Sequence, residues 1–165
     1  CGKSLDIHWL LAQGYHLTGI DLSPIAIEEL ISELAIPFTE RKLEKLTHYH
    51  HPQIDLFVGD FFELTSSNIG KIDAIYDRAA LVALPKEMRT DYAQHLMQIS
   101  NQATQLFISF EYDQSMMAGP PFSISPQQLK DYYSKQYQLQ LLDSQPELLK
   151  GKVDAEEKIW LLNPY

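Results

Sequence analysis

The feature that most constrains this chain is its opening stretch, Cys1-Gly2-Lys3-Ser4 running through to Ile20-Asp21-Leu22-Ser23. It reads as a tight loop, a helix, a turn and a short strand with an acid at its carboxyl end. Gly2 lets backbone approach a ligand closely. Ser4 is a suitable N-cap for a helix over Leu5 to Gln13, with Gly14 as its C′ residue. Tyr15 to Ile20 is strand-like, and Asp21 follows. That is the first half of a nucleotide- or nucleoside-binding α/β unit in which the acid takes ribose hydroxyls. Such a unit begins with a strand before the loop, so a first strand is inferred ahead of Cys1.

The rest of the chain alternates in the same way. Ser23-Pro24 starts a helix with Ile27, Leu30, Ile31 and Leu34 on one stripe, ending near Ala35. The helix over Leu5 to Gln13 is apolar nearly all round and is expected to be buried. Phe38 to Pro52 is charged and weakly patterned, and reads as a short helix plus connector. Its His48, His50 and His51 match no zinc spacing, so no metal is expected and a solvated linker is the reading. Ile54 to Asp60 is a strand ending in Gly-Asp, with Phe61 following. Ile72 to Asp77 is another, followed by Arg78 and the apolar run Ala79 to Leu84. Pro85 opens a helix to Ser100 with Met88, Tyr92, Leu96 and Ile99 facing inward. Gln105 to Tyr112 is a strand carrying Glu111, followed by Asp113 and the irregular Gly119-Pro120-Pro121-Phe122. Ser125-Pro126 caps a helix to about Gln136. Tyr137 to Leu142 and Lys158 to Leu162 read as a closing antiparallel hairpin.

Alternating strands and helices predict an α/β fold with a doubly wound, mostly parallel sheet. Ligands in such sheets bind at the carboxyl ends of the strands. Gly2, Asp21, Asp60-Phe61, Arg78 and the Glu111 to Phe122 loop all fall there. Asp60 could accept from an exocyclic amine while Phe61 stacks on a base. Arg78 stays protonated, so it cannot be a base. It either pairs with Asp77 or Asp73, or offers a fixed positive charge to an electron-rich substrate.

The chain has 165 residues, which suits one domain over residues 1–165. Its net charge of −9 disfavours non-specific binding to nucleic acid or anionic membrane. No apolar run approaches the ~20 residues of a membrane-spanning helix. The single cysteine, Cys1, precludes an internal disulfide and fits a reducing, cytoplasmic setting. No Ser/His/Asp or Cys/His set stands out. A P-loop nucleotide enzyme is an open alternative, because Gly2-Lys3-Ser4 before a helix could end a G-x-x-x-x-G-K-[ST] loop. A nicotinamide dehydrogenase fits less well, because the third glycine of its fingerprint is not in place.

Taken together, these pieces resemble the thiopurine S-methyltransferase family, a branch of the Rossmann-like class I S-adenosylmethionine-dependent methyltransferases. The resemblance rests on Cys1-Gly2-Lys3-Ser4, Gly19 to Ser23, Gly59-Asp60-Phe61-Phe62, Ile75 to Leu84 and Gly119-Pro120-Pro121-Phe122, in that order. It implies S-adenosyl-L-methionine as cofactor, with Cys1 and Gly2 facing its methionine moiety. Asp21 would take the ribose, and Asp60 and Phe61 the adenine. Arg78 would lie near both cofactor and acceptor, with Pro120, Pro121 and Phe122 walling the acceptor pocket. It implies transfer of a methyl group to the sulfur of aromatic or heterocyclic thiols, with selenium and tellurium compounds as further acceptors; separately, a monomer is expected. The family's N-terminal segment and first strand precede Cys1. Without that strand, the strands ending at Asp21 and Asp77 would each keep an open edge. The chain by itself is then expected to be poorly stable and weakly active, and a non-catalytic fragment is the remaining alternative.

Overall fold

The computed structural model describes residues 4–165, which fall into two compact units, one ending at Gly70 and one running from Lys71 to Tyr165. The expected roles of Cys1 and Gly2 lie outside the described residues. No helix among the described residues is long and apolar enough to cross a membrane.

The first unit starts with helix α1, Leu5–Ala12. The Asp6 amide donates to the Ser4 side chain at 3.3 Å, as an N-cap should. Gly14 closes the helix at φ 84°, where a left-handed residue costs glycine little. After strand β1, Leu17–Asp21, comes helix α2, Pro24–Leu34. Ser23 caps α2 by accepting from the Ala26 amide at 3.3 Å, and left-handed Ala35 ends it. Ile27 and Leu30 are fully buried on α2, and they pack with Ile7, Ile54 and Leu56 into one core cluster. Each such side chain contributes roughly 1.5–3 kcal/mol through burial. Helix α1 is less buried than expected. Ile7 faces the core, whereas Leu5 is 81% and Trp9 61% exposed. An all-round apolar helix needs two surfaces to cover it, and the sheet covers only one.

The largest departure from expectation is at residues 38–52. They form strands β2, Thr39–Lys42, and β3, Thr47–His51, an antiparallel hairpin that pairs onto β4, Ile54–Val58. The sheet order is β1-β4-β3-β2, and only β1 and β4 are parallel. All four residues of β2 are exposed. A fully solvated edge strand has no apolar alternation to read, and its charges keep the edge from pairing with other chains. The Leu43 amide donates to the Leu46 carbonyl at 2.8 Å to close the turn. A single 3₁₀ turn, Phe61–Glu63, and the short helix α3, Ser66–Ile69, finish this unit.

The second unit holds strand β5, Ala74–Arg78, helix α4, Lys86–Ile99, and strand β6, Thr104–Glu111. Helix α5, Pro126–Tyr133, and strands β7, Tyr137–Leu149, and β8, Val153–Pro164, complete it. The order is β5-β6-β8-β7, with β5 parallel to β6 and the rest antiparallel. The two sheets are therefore mixed. Among the described residues parallel pairing is found at β1/β4 and β5/β6, while β2, β3 and β4, and likewise β7 and β8, are joined by turns too short for a crossover. The closing hairpin is present but much longer than its apolar ends, since most of β7 is exposed.

Helix α4 also corrects a detail. Met88 is 38% exposed, and the inner face is made by Arg89, Tyr92, Ala93, Leu96, Met97 and Ile99. A buried arginine does not register as an apolar position, so the stripe read from sequence was one residue off at its start.

Candidate functional site

In the first unit, two acids stand at the carboxyl ends of neighbouring parallel strands. Asp21 ends β1, and its register partner on β4 is Val58. The Gly59 amide donates to the Asp21 carbonyl at 3.0 Å, so the two strand ends stay joined until Asp60. Asp21 Oδ1 accepts from the Ser23 amide at 2.9 Å, and Asp60 Oδ1 accepts from the Phe62 amide at 3.0 Å. Each carboxylate is thus oriented by the first turn that follows its strand. Phe61 packs edge-on against Phe62, with ring centroids 5.7 Å apart. Gly59 is needed here. Its φ is 143°, and a Cβ would meet Leu46 Cδ2 at 2.6 Å and the Lys45 carbonyl at 3.0 Å.

In the second unit, β5 ends in Asp77 and Arg78, which point to opposite faces. Arg78 is exposed. Asp77 is buried and acts as the centre of a polar network. Its Oδ2 accepts from the Tyr92 hydroxyl at 3.1 Å and from Gln105 Nε2 at 3.4 Å, and its Oδ1 from the Leu81 amide at 3.3 Å. Burial pushes its pKa up to about 6, against the pull of hydrogen bonds from Leu81, Tyr92 and Ala80. Burial likewise raises the Tyr92 hydroxyl well above its ordinary value, helped by the charge of Asp77. Gln105 Oε1 and the Tyr133 hydroxyl are buried in the same region without a hydrogen-bond partner among the described residues. The Gln105 amide lies beside Tyr133, but the geometry of a hydrogen bond is not met.

The loop after β6 is tied down at many points. The Tyr112 hydroxyl donates to the Pro121 carbonyl at 2.6 Å, and Gln114 Nε2 donates to the Met117 carbonyl at 2.6 Å. Ser123 exchanges hydrogen bonds with the Tyr112 backbone at 3.0 and 2.8 Å. The Phe122 amide donates to the Val82 carbonyl at 2.6 Å. The Gly119–Pro120 and Pro120–Pro121 bonds are cis. Buried Arg89 places its guanidinium 5.1 Å from the centre of the Phe122 ring, and its Nε donates to the Leu84 carbonyl at 2.9 Å. Glu111 is engaged by Lys158 of β8.

The structure therefore brings Asp21 together with Asp60-Phe61 in one unit. In the other it places Arg78 at the end of β5 and Pro120, Pro121 and Phe122 in a braced loop. Sequence reasoning missed Arg89, Tyr112 and Gln114 as the residues that hold that loop. Cation-over-aromatic seating at this separation, Arg89 to Phe122, leaves no local signal in sequence.

The same fold occurs in solved structures of S-adenosylmethionine-dependent methyltransferases. One is a Methanosarcina mazei enzyme of that description, at TM-score 0.73 and 14% identity over 99% of this chain and 89% of that one. Another is the Burkholderia thailandensis 1,6-didemethyltoxoflavin-N1-methyltransferase, solved with S-adenosylhomocysteine, at TM-score 0.62 and 15% identity over 98% and 68%. The fold is that of an α/β S-adenosylmethionine-dependent methyltransferase. The family model described as thiopurine S-methyltransferase (TPMT) matches residues 1–162. The thiopurine S-methyltransferase of Acinetobacter baylyi is 51% identical over 148 residues, 87% of this chain and 68% of that protein. That of Xanthobacter autotrophicus is 45% identical over 164 residues, 98% of this chain and 77% of that protein. The chain belongs to the thiopurine S-methyltransferase family. Its chemistry is S-adenosylmethionine-dependent methyl transfer to sulfur.

Proposed function

We propose that Asp21, Asp60 and Phe61 hold S-adenosylmethionine, and that Arg78 and the Gly119 to Phe122 loop receive the thiol. The observation that supports this most is the pair of carboxylates on adjoining strand ends, each set by its own turn. The ligand's polar edge fits that set. Ribose hydroxyls and an exocyclic amine are donors, and Asp21 and Asp60 are acceptors. Phe61 beside Asp60 offers a ring for a purine to stack on. Cys1 and Gly2 would meet the methionine end, and Arg78 would contact both molecules.

Bound S-adenosylmethionine supplies a methyl group on a positively charged sulfur. The acceptor thiolate attacks that carbon in line. One carbon–sulfur bond would form as the other broke, with S-adenosylhomocysteine as the leaving group keeping the electron pair. Opposite charges cancel as this happens, so the protein contributes alignment and exclusion of water rather than an oxyanion hole. Heterocyclic thiols are already acidic. Arg78 then favours the anionic form of the acceptor electrostatically, without removing the proton itself.

The finer fold is also a proposal. Among the described residues β1 and β5 each pair along one edge. The arrangement proposed is a doubly wound, mostly parallel sheet in a single domain over residues 1–165. The physiological setting proposed is a cytoplasmic monomer acting on a small thiol.

Titrating S-adenosylhomocysteine calorimetrically into the wild-type chain and into Asp21→Ala tests the cofactor assignment. Losing one charged hydrogen-bond acceptor should weaken binding about 10- to 100-fold. An unchanged Kd removes Asp21 from the site. Heat on adding ATP, with none from S-adenosylhomocysteine, would instead favour the P-loop alternative.

A further inference from the structure

On one face of the sheet β1-β4-β3-β2, three imidazoles converge on a single carboxylate. Asp55 lies on β4, and its register partner on β3 is His50. His48 is two residues away on β3, so its side chain leaves from the same face. On the other side, Thr18 of β1 is the partner of Asp55. His16 precedes Thr18 by two positions and reaches that face from the turn before β1. The distances are short. His48 Nε2 is 2.6 Å and His50 Nδ1 is 2.8 Å from Asp55 Oδ1, and His16 Nε2 is 3.3 Å from Oδ2. The ligand atoms of His48, His50 and Asp55 all lie within 4.8 Å of one another.

The cluster is seated. The His48 ring stacks flat on Phe57, with centroids 4.4 Å apart and planes 6° apart. The side chains of His48 and Asp55 are 17% and 19% exposed, and those of His50 and His16 are about half exposed, at 48% and 51%. The inner pair is fixed, while the outer pair can adjust and leaves a path from solvent. His51 belongs to the opposite face. It lies against Phe38, and its Nδ1 accepts from the Gln53 amide at 3.2 Å.

We infer that His48, His50 and Asp55, with His16 swinging in as a fourth ligand, form a binding site for a divalent transition-metal ion, zinc above all. Imidazole nitrogens with one carboxylate suit zinc, nickel or copper, whereas magnesium and calcium prefer all-oxygen sets. Tetrahedral zinc, with bonds of about 2.0–2.2 Å, separates neighbouring ligand atoms by about 3.3 Å. His16 Nε2 already stands 3.3 Å from the second carboxylate oxygen, Oδ2. The His48–Asp55 and His50–Asp55 edges, at 2.6 and 2.8 Å, must open by about 0.7 and 0.5 Å to reach that zinc spacing, a movement open to the half-exposed His50 ring and the Asp55 carboxylate. The site is invisible along the chain because its ligands come from two strands and a turn, brought together by register. Ion binding would cross-link β3, β4 and the turn before β1, and so stabilise the first unit. It is independent of the methyl-transfer chemistry.

The test uses the untagged 165-residue chain carrying Cys1→Ser, which removes its one thiol, a possible competitor. After treatment with a chelator it is titrated with Zn(II) by calorimetry and with Co(II) by visible absorption, and its Tm is followed with added Zn(II). The site predicts one ion per chain, a Co(II) spectrum of four-coordinate type and a Tm that rises with Zn(II). His50→Ala and Asp55→Asn should each weaken binding by at least about tenfold, and His51→Ala should not. His50 is half exposed, so His50→Ala keeps the test valid if Asp55→Asn does not fold. Absence of saturable binding, or a Zn(II) affinity that His50→Ala leaves unchanged, overturns the site and leaves only a hydrogen-bonded cluster.

Discussion

The Tyr92 hydroxyl donates to Asp77 Oδ2 at 3.1 Å, joining helix α4 to the end of strand β5 in a region that solvent barely reaches. The pKa of Asp77 is raised from 3.8 to about 6, burial being the largest cause. Between those values the folded chain holds a proton that the unfolded chain has released, so stability falls as pH rises through this window. The interval corresponds to about 3 kcal/mol. Chemical denaturation from pH 4 to 7 should show wild type losing stability relative to Asp77→Asn by roughly this amount, with the difference levelling off above pH 6. A pH-independent difference would show that Asp77 does not titrate in that range.

Removing the donor of that hydrogen bond has a pH signature of its own. Tyr92→Phe leaves the Asp77 charge less well held, so it should cost about 1–3 kcal/mol at pH 7. The cost should shrink near pH 5, where Asp77 is largely protonated. Equal costs at the two pH values would mean that the hydroxyl matters only for packing.

Gly59 stands directly before Asp60. Gly59→Ala combines a strained φ of 143° with a Cβ 2.6 Å from Leu46 Cδ2. Backbone strain and overpacking together should cost about 2–4 kcal/mol. Because the chain must shift where Asp60 and Phe61 begin, S-adenosylhomocysteine should also bind more weakly. Thermal melting and calorimetry read the two effects, and wild-type values in both would refute the steric account.

Arg89 braces the Phe122 ring and the Leu84 carbonyl. Arg89→Met keeps most of the buried stem but loses both contacts, which should cost about 2 kcal/mol. The looser loop should raise KM for a thiopurine acceptor more than it changes the affinity for S-adenosylhomocysteine. A wild-type KM would show that the loop is held by its other hydrogen bonds alone.

Arg78 sits at the exposed end of β5. Arg78→Glu reverses the charge offered to an anionic acceptor and should lower kcat/KM for a thiopurine by at least about tenfold. The loss should be larger for an acceptor that is mostly thiolate at the assay pH. Unchanged turnover would remove Arg78 from this role.

Much of the site was legible because strand ends announce themselves. Asp21 and Asp60 each follow a short apolar run and precede a capping signal, and both stand where that pattern put them. The caps at Ser4, Ser23 and Ser125 were equally plain, because N-capping depends on a few neighbouring residues. Strands β2 and β3 were not legible. Their stability comes from pairing with β4, and the exposed residues of β2 carry no alternation. Arg89 was hidden for a related reason, since its burial depends on Phe122 and Leu84, residues that arrive from other parts of the fold.

By itself, then, the sequence determined the alternating α/β order, the caps and the acids at the ends of β1 and β4, because local spacing and turn chemistry decide those. Tertiary structure alone decided the mixed sheets, the network around Asp77, the bracing of Phe122 by Arg89 and the convergence of His16, His48 and His50 on Asp55. Each of these depends on register or packing between segments distant in the chain, and no local pattern encodes that.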